Sequence, residues 1–68
     1  MELTKQQQKV LDFVEYFMDS KGYAPSRAEI SNHFKWKSAA AAQDHLTKLE
    51  RRGAIKLIPN ISRGIVIL

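Results

Sequence analysis

From Val10 the apolar residues return every three or four positions: Val10, Phe13, Val14 and Phe17, with Leu11 and Met18 widening the stripe. That spacing puts them on one side of a helix, and Asp12, Glu15 and Asp19 fall on the other. Thr4 precedes the stripe, with Gln7 three residues on, the pair that can cap a helix start reciprocally. Gly22, after Lys21, supplies the stop. A second, shorter pattern begins at Ser26, with Glu29 at the matching capping position and Ile30 and Phe34 one turn apart, which predicts a helix over 27–34. The run "KWK" at 35–37 breaks it. Ser38 is the next candidate N-cap, and a third helix is expected over about 39–52, ended by Gly53.

At 100° per residue, Ala42, His45, Leu46 and Leu49 share one face of that third helix. Ala40, Asp44, Thr47 and Arg51 take the opposite face, flanked by Ala41, Gln43 and Lys48. After Gly53 the period changes. "AIKLI" and "GIVIL" are β-branched and separated by the turn segment "PNISR", which predicts two antiparallel strands in a hairpin. A lone hairpin is marginal in water, so this one is expected to pack on the helices. The expected fold is mainly α with a small β-hairpin: three helices plus a two-stranded antiparallel wing, a winged helix-turn-helix formed as a single domain over residues 1–68.

Composition narrows what such a fold can do. The chain has 68 residues, 44% hydrophobic and 26% charged, a globular rather than a disordered balance. Without cysteine there is neither a disulfide nor a thiolate zinc site, and His33 and His45 alone do not make a structural metal centre. No cofactor, metal, small-molecule substrate or catalytic constellation is expected, and no enzyme activity. "MELTKQQQKV" lacks the apolar core of a signal peptide, and the longest apolar run, "IVIL", falls far short of the ~20 residues that span a membrane. The expected location is the cytoplasm, with no membrane partner.

Charge is unevenly placed. Residues 1–26 carry Lys5, Lys9 and Lys21 against Glu2, Asp12, Glu15 and Asp19, a net of −1. Residues 27–68 carry Arg27, Lys35, Lys37, Lys48, Arg51, Arg52, Lys56 and Arg63 against Glu29, Asp44 and Glu50, a net of +5. Concentrated positive charge suits a polyanion, most simply nucleic acid; the plainer reading is a solvated basic face. Two helices joined by about four residues match the helix-turn-helix layout, in which the second helix enters the major groove. The same layout also serves as a protein-docking module, here through Trp36 or the edge of the "IVIL" strand, and that alternative stays open at this point.

Four stretches add a resemblance: "LTKQQQKVLDFV", "PSRAEI", "AAQDHLTKLERRGAI" and "SRGIVIL". Together they make nearly the whole chain similar to the DNA-binding domain of LexA-type repressors, the regulators of the bacterial SOS response to DNA damage. The resemblance implies a sequence-specific double-stranded DNA binder that represses by occluding promoters in the nucleoid. It implies that the third helix reads bases, which carries over to Ser38, Ala40, Ala41, Gln43 and Asp44. The backbone contacts it implies fall on Ser26, Arg27, Lys37, Lys48, Arg51, Arg52 and Arg63. Full-length members have a C-terminal domain for dimerisation and self-cleavage. Without it the chain is expected to be a monomer that can pair on palindromic DNA.

Three positions depart from that family's habit. Ala39 and Ala40 stand where it usually has proline and asparagine, Gln43 and Asp44 where it tends to have two glutamates, and Lys35 where the turn commonly has glycine. If the backbone at Lys35 needs positive φ, the lysine costs roughly 1 kcal/mol. The alanines suit close approach to a groove floor and contact with a thymine methyl. Alanine is also the best helix former, which accounts for Ala39, while Ala42 belongs to the packed side. An acid at Asp44 repels phosphate, so it either selects against wrong bases or simply pairs with Lys48 one turn on. Phe13 and Phe17 are expected in the core, His45 to be a satisfied, packed histidine rather than a ligand, Trp36 to cap the core rather than touch the backbone, and Arg63 beside Gly64 to meet a backbone or groove rather than only hold a turn.

Overall fold

The computed structural model describes residues 2–68. Helix α1 spans Lys5–Lys21 and opens with a reciprocal cap: Gln7 N–H donates to Thr4 Oγ1 at 3.1 Å, and Thr4 N–H donates to Gln7 Oε1 at 2.9 Å. Gly22, at φ 82°, closes it, donating its N–H to the Met18 carbonyl. Helix α2 spans Arg27–Phe34 and opens the same way, with Glu29 N–H on Ser26 Oγ at 3.1 Å and Ser26 N–H on Glu29 Oε1 at 2.8 Å. Both starts follow from short-range sequence, since cap donor and acceptor lie three residues apart.

Helix α3 spans Ala39–Arg51, one residue shorter than expected. Arg52 is its cap, and Gly53 turns left-handed at φ 80°. Gly53 N–H then meets the Glu50 carbonyl and Ala54 N–H the Leu49 carbonyl, so the last orphan carbonyls are satisfied as the chain leaves. Ser38 occupies the N-cap position, but its hydroxyl makes no capping bond. Its carbonyl is the group in use, accepting from the buried Ser31 hydroxyl at 2.8 Å and from Ala41 N–H.

Lys35 does adopt the left-handed conformation, at φ 59° and ψ 36°. Lys35 N–H reaches the Asn32 carbonyl and Trp36 N–H the Ser31 carbonyl, the same pairing that ends α3. The turn therefore has glycine's geometry without glycine. Residues 35–38 link α2 to α3, and the hairpin follows.

Strands β1, Ile55–Leu57, and β2, Ile65–Ile67, pair antiparallel with Ile55 opposite Ile67 and Leu57 opposite Ile65. Flanking bonds from Leu68 N–H to the Ala54 carbonyl and from Ile58 N–H to the Gly64 carbonyl carry the ladder over most of the expected strand length. At Gly64 a Cβ would lie 2.8 Å from the Ile58 carbonyl oxygen, so the hairpin neck admits only glycine.

The core gathers one stripe from every element: Val10 and Val14 of α1, Ile30 of α2, Ala42, Leu46 and Leu49 of α3, and Ile55 and Ile65 of the hairpin. Full burial of side chains of this kind contributes about 1.5–3 kcal/mol each, which holds the hairpin where two strands alone would not stay. Phe13 and Phe17, expected in the core, are half-buried and belong to an aromatic layer beside it. In that layer Phe13 stacks on His33 at 4.0 Å, Phe34 on Trp36 at 4.8 Å, and Trp36 on His45 at 4.4 Å. Trp36 thus serves packing, and His45 packs on it but is not the satisfied histidine expected: its buried Nδ1 has no hydrogen-bond partner among the described residues. No helix among the described residues is long and apolar enough to cross a membrane. α2, its four-residue turn and α3 form a helix-turn-helix, and the hairpin is the wing.

Candidate nucleic-acid interface

The inward residues of α3 are spent on the core, which leaves its other side outward along the whole helix. Ala40, Gln43, Asp44, Lys48 and Arg51 are exposed, and Ala41 and Thr47 are half-buried. Ser38 is exposed at the start of the helix. Gln43 and Arg51 are eight residues apart, so the small, polar first turns and the basic end are separated by about 12 Å along the axis. Lys35, Lys37, Arg52 and Lys56 are exposed around this surface. Asp44 Oδ2 lies 3.2 Å from Lys48 Nζ, and with the two side chains 64% and 51% exposed this pair leaves both charges largely in water.

Two arginines tie the neighbouring elements to that face, and short-range sequence reading had no signal for either bond. Arg27, the first residue of α2, donates from Nε to Gln43 Oε1 at 2.8 Å and from Nη1 to the Ser62 carbonyl at 3.1 Å. One guanidinium thus joins α2, α3 and the wing turn. Arg63 reaches back from the wing to the start of α2. Its Nη1 donates to Glu29 Oε1 at 2.6 Å and to the Ala24 carbonyl at 2.8 Å, and the guanidinium carbon sits 4.7 Å from the Tyr23 ring centroid. Hydrogen bonding to Arg63, reinforced by the Ser26 backbone N–H, holds the Glu29 carboxyl at about 2, below the ordinary 4.5. Glu29 in turn raises Arg63.

Of the residues assigned to the DNA backbone, Arg27 and Arg63 are therefore engaged within the protein, and Ser26 caps α2. Lys37, Arg51 and Arg52 stand in solvent, and Lys48 does so beside Asp44. Of the residues expected to read bases, Ala40, Ala41, Gln43 and Asp44 share one side of α3, with Ser38 just before it. Gln43 is held at both ends of its amide, by Arg27 and by Thr47, whose Oγ1 accepts from Gln43 Nε2 at 3.1 Å.

Sequence reasoning missed three other contributors, Ser31, Glu50 and Tyr23, and a second role for Glu29 beyond its cap. Ser31 pins the start of α3. Glu50 accepts from the Leu57 N–H at 2.8 Å and so closes the outer side of β1. Glu29 and Tyr23 seat Arg63. Ser31 alone carried a local hint, as a small hydroxyl beside buried Ile30; the others depend on tertiary contact. Between α3 and the wing turn lies an open groove of about 620 Å³, lined by Arg27, Gln43, Glu50 and wing residues 57–62. Among the described residues, no group of three or more metal-ligating side chains is brought together.

Comparison with known proteins finds LexA repressors among similar chains. A LexA repressor of Haemophilus influenzae (strain PittGG) is 52% identical over 66 residues, covering 97% of this chain and 32% of that protein. A LexA repressor of Saccharophagus degradans is 49% identical over 63 residues, covering 93% and 31%. One from Petrotoga mobilis is 48% identical over 67 residues, covering 98% and 32%. The chain thus spans about a third of the length of these relatives. The sequence profile described as LexA DNA binding domain matches residues 1–64, and with three helices and a wing in the order described, the chain belongs to the LexA DNA-binding-domain family.

Proposed function

We propose that residues 1–68 act as one winged helix-turn-helix domain that binds double-stranded DNA sequence-specifically and represses transcription, in the bacterial cytoplasm at the nucleoid. α3 enters the major groove with Ser38, Ala40, Ala41, Gln43 and Asp44 toward base edges. Lys37, Lys48, Arg51 and Arg52 meet phosphates, with Ser26, Arg27 and Arg63 at the rim. The observation that carries this reading is the outward face of α3: small and polar over its first turns, basic at its end, and mostly exposed. Ala40 and Ala41 allow close approach and methyl contact with thymine, and an amide at Gln43 matches adenine. A single copy holds one half-site, so the chain alone binds weakly as a monomer. Dimerisation on palindromic DNA raises the effective concentration for the second half-site to about millimolar.

The test is an NMR titration of labelled protein with a LexA-type operator half-site and with a randomised duplex pool, at two salt concentrations. Expected are shifts concentrated at Ser38–Lys48, Arg51–Arg52 and the Arg63 wing. If about five phosphates are neutralised, log K falls against log salt with a slope of about −4.5. Arg52→Ala is expected to weaken all duplexes nearly equally, and Gln43→Ala to change the preference at one base pair. A slope near zero would overturn the role given to the basic surface, and no shifts with either duplex would favour a protein-docking role instead.

A further inference from the structure

Gln43 carries an amide whose two ends are chemically different but similar in shape, so an exposed glutamine ordinarily turns over freely. Here both neighbours admit only one orientation. Arg27 Nε bears a hydrogen and no lone pair, so the atom facing it at 2.8 Å is the amide oxygen. At the other end the Thr47 hydroxyl gives its hydrogen to the Gln43 backbone carbonyl at 2.9 Å. Thr47 Oγ1 is left as an acceptor, and it receives Gln43 Nε2–H at 3.1 Å. Arg27 is itself braced from the wing by the Ser62 carbonyl. The polarity of the Gln43 amide is thus set from outside α3, by the first residue of α2 and by the wing turn.

From this we infer that Arg27 is a positioning residue for sequence discrimination: it holds Gln43 in the single polarity that matches adenine and so makes the protein prefer adenine over guanine at one base pair. The inference rests on the DNA-binding reading above. Held this way, Gln43 keeps one lone pair on Oε1 and one N–H on Nε2. Adenine offers N6–H and N7 in the major groove, a donor and an acceptor that match them. Guanine offers two acceptors, O6 and N7, and sets O6 against the Oε1 lone pair. An amide released from Arg27 turns and gives its N–H groups to guanine as well, so discrimination falls. Preorganisation also spares the glutamine the ordering cost of binding.

Two measurements on the full chain test this. The first needs no DNA: in the free protein the Gln43 side-chain NH₂ resonances are expected to be dispersed and slow to exchange, and in Arg27→Lys to move to free-glutamine values. A lysine keeps the charge but not the two-armed bridge. The second is selection from randomised duplexes, with affinity on a random pool measured in parallel. Arg27→Lys is expected to lose adenine-over-guanine preference about tenfold at one position, with a smaller change on the random pool. Thr47→Val, which removes the acceptor at the other end, moves the preference the same way, and Thr47→Ser restores it; these cover the case in which Arg27→Lys folds poorly. A wild-type Gln43 amide that behaves as free, or an Arg27→Lys protein that keeps the wild-type preference, overturns the inference alone. A wild type that binds no duplex overturns the DNA reading and the inference with it.

Discussion

Along α3 the inward residues Ala42, Leu46 and Leu49 are fully enclosed, while Ala40, Gln43, Asp44 and Lys48 stand in solvent on the other side. The enclosed side packs against apolar residues of α1, α2 and the hairpin. The outward side, with the turn before it and the wing beside it, is held by hydrogen bonds and ion pairs. It contains a lysine in a left-handed conformation and acidic groups set among bases. The difference teaches where stability is made and where it is given up. Apolar burial needs only fit, whereas the outward side keeps polar groups accessible, so their mutual attraction is screened.

The largest break in that division is Leu46→Ala. A fully buried leucine truncated to alanine costs about 2–5 kcal/mol, depending on how far the site collapses. In a 68-residue chain that is a large share of total stability. Urea unfolding is expected to show the midpoint falling toward zero denaturant, where substitutions on the outward side move it little.

Next in size is a change of opposite sign. Lys35→Gly relieves the left-handed strain at φ 59° and is expected to stabilise by about 0.5–1 kcal/mol, after the extra freedom of glycine in the unfolded chain is counted. Gly53→Ala, at φ 80° in the matching turn of α3, is expected to destabilise by about 1 kcal/mol. Thermal melts of the two variants measure both. Equal and small effects would mean that the turn after α2 relaxes without its lysine paying any strain.

Smaller again is the wing latch, because Arg63 and Glu29 side chains are 39% and 37% exposed and water screens the pair. Its signature is pH. A carboxyl held down at about 2 from 4.5 contributes stability that is present above pH 4.5 and lost as pH falls through about 2. Wild type and Glu29→Gln are therefore expected to differ in urea midpoint near neutral pH and to converge between pH 4.5 and 2. A constant gap across that range would show that the difference does not come from the Glu29 charge.

The enclosed side was legible in the sequence and the outward side only in part, for a physical reason. Caps at Thr4–Gln7 and Ser26–Glu29 join residues three apart, and the stripes Val10, Val14 and Ala42, Leu46, Leu49 repeat with the helix. Both are local rules. The bonds of Arg27 to Gln43 and Ser62 join residues 16 and 35 apart, and those of Arg63 to Glu29 and Ala24 join residues 34 and 39 apart. No local pattern encodes them. Ser38 shows the boundary between the two cases: its residue type placed it at the N-cap, which it occupies, yet its hydroxyl makes no capping bond, and nothing local assigns its carbonyl to the buried Ser31 hydroxyl. Charge and residue type put the candidate DNA contacts on one surface, yet could not show that Arg27 and Arg63 already have partners.

Asp44 sharpens the comparison with the smallest effect on stability. Its pairing with Lys48 lies one turn apart on an exposed helix face, where such pairs are worth about 0.2–0.5 kcal/mol. Asp44→Asn keeps the shape and a hydrogen-bonding group, and its melting temperature is expected to stay close to wild type. Binding should respond far more than folding. On the docking proposed above, removing a negative charge beside phosphate raises affinity for every duplex, while a carboxylate acceptor for cytosine N4–H is lost at one position. Affinity for random duplex is thus expected to rise as discrimination falls, and competition binding against both measures it. If random-pool affinity rises and preference stays, Asp44 is a solvated partner of Lys48 and nothing more. If preference falls as well, the acid is there to reject, and the outward side of α3 gives up affinity for selectivity as it gives up stability for access.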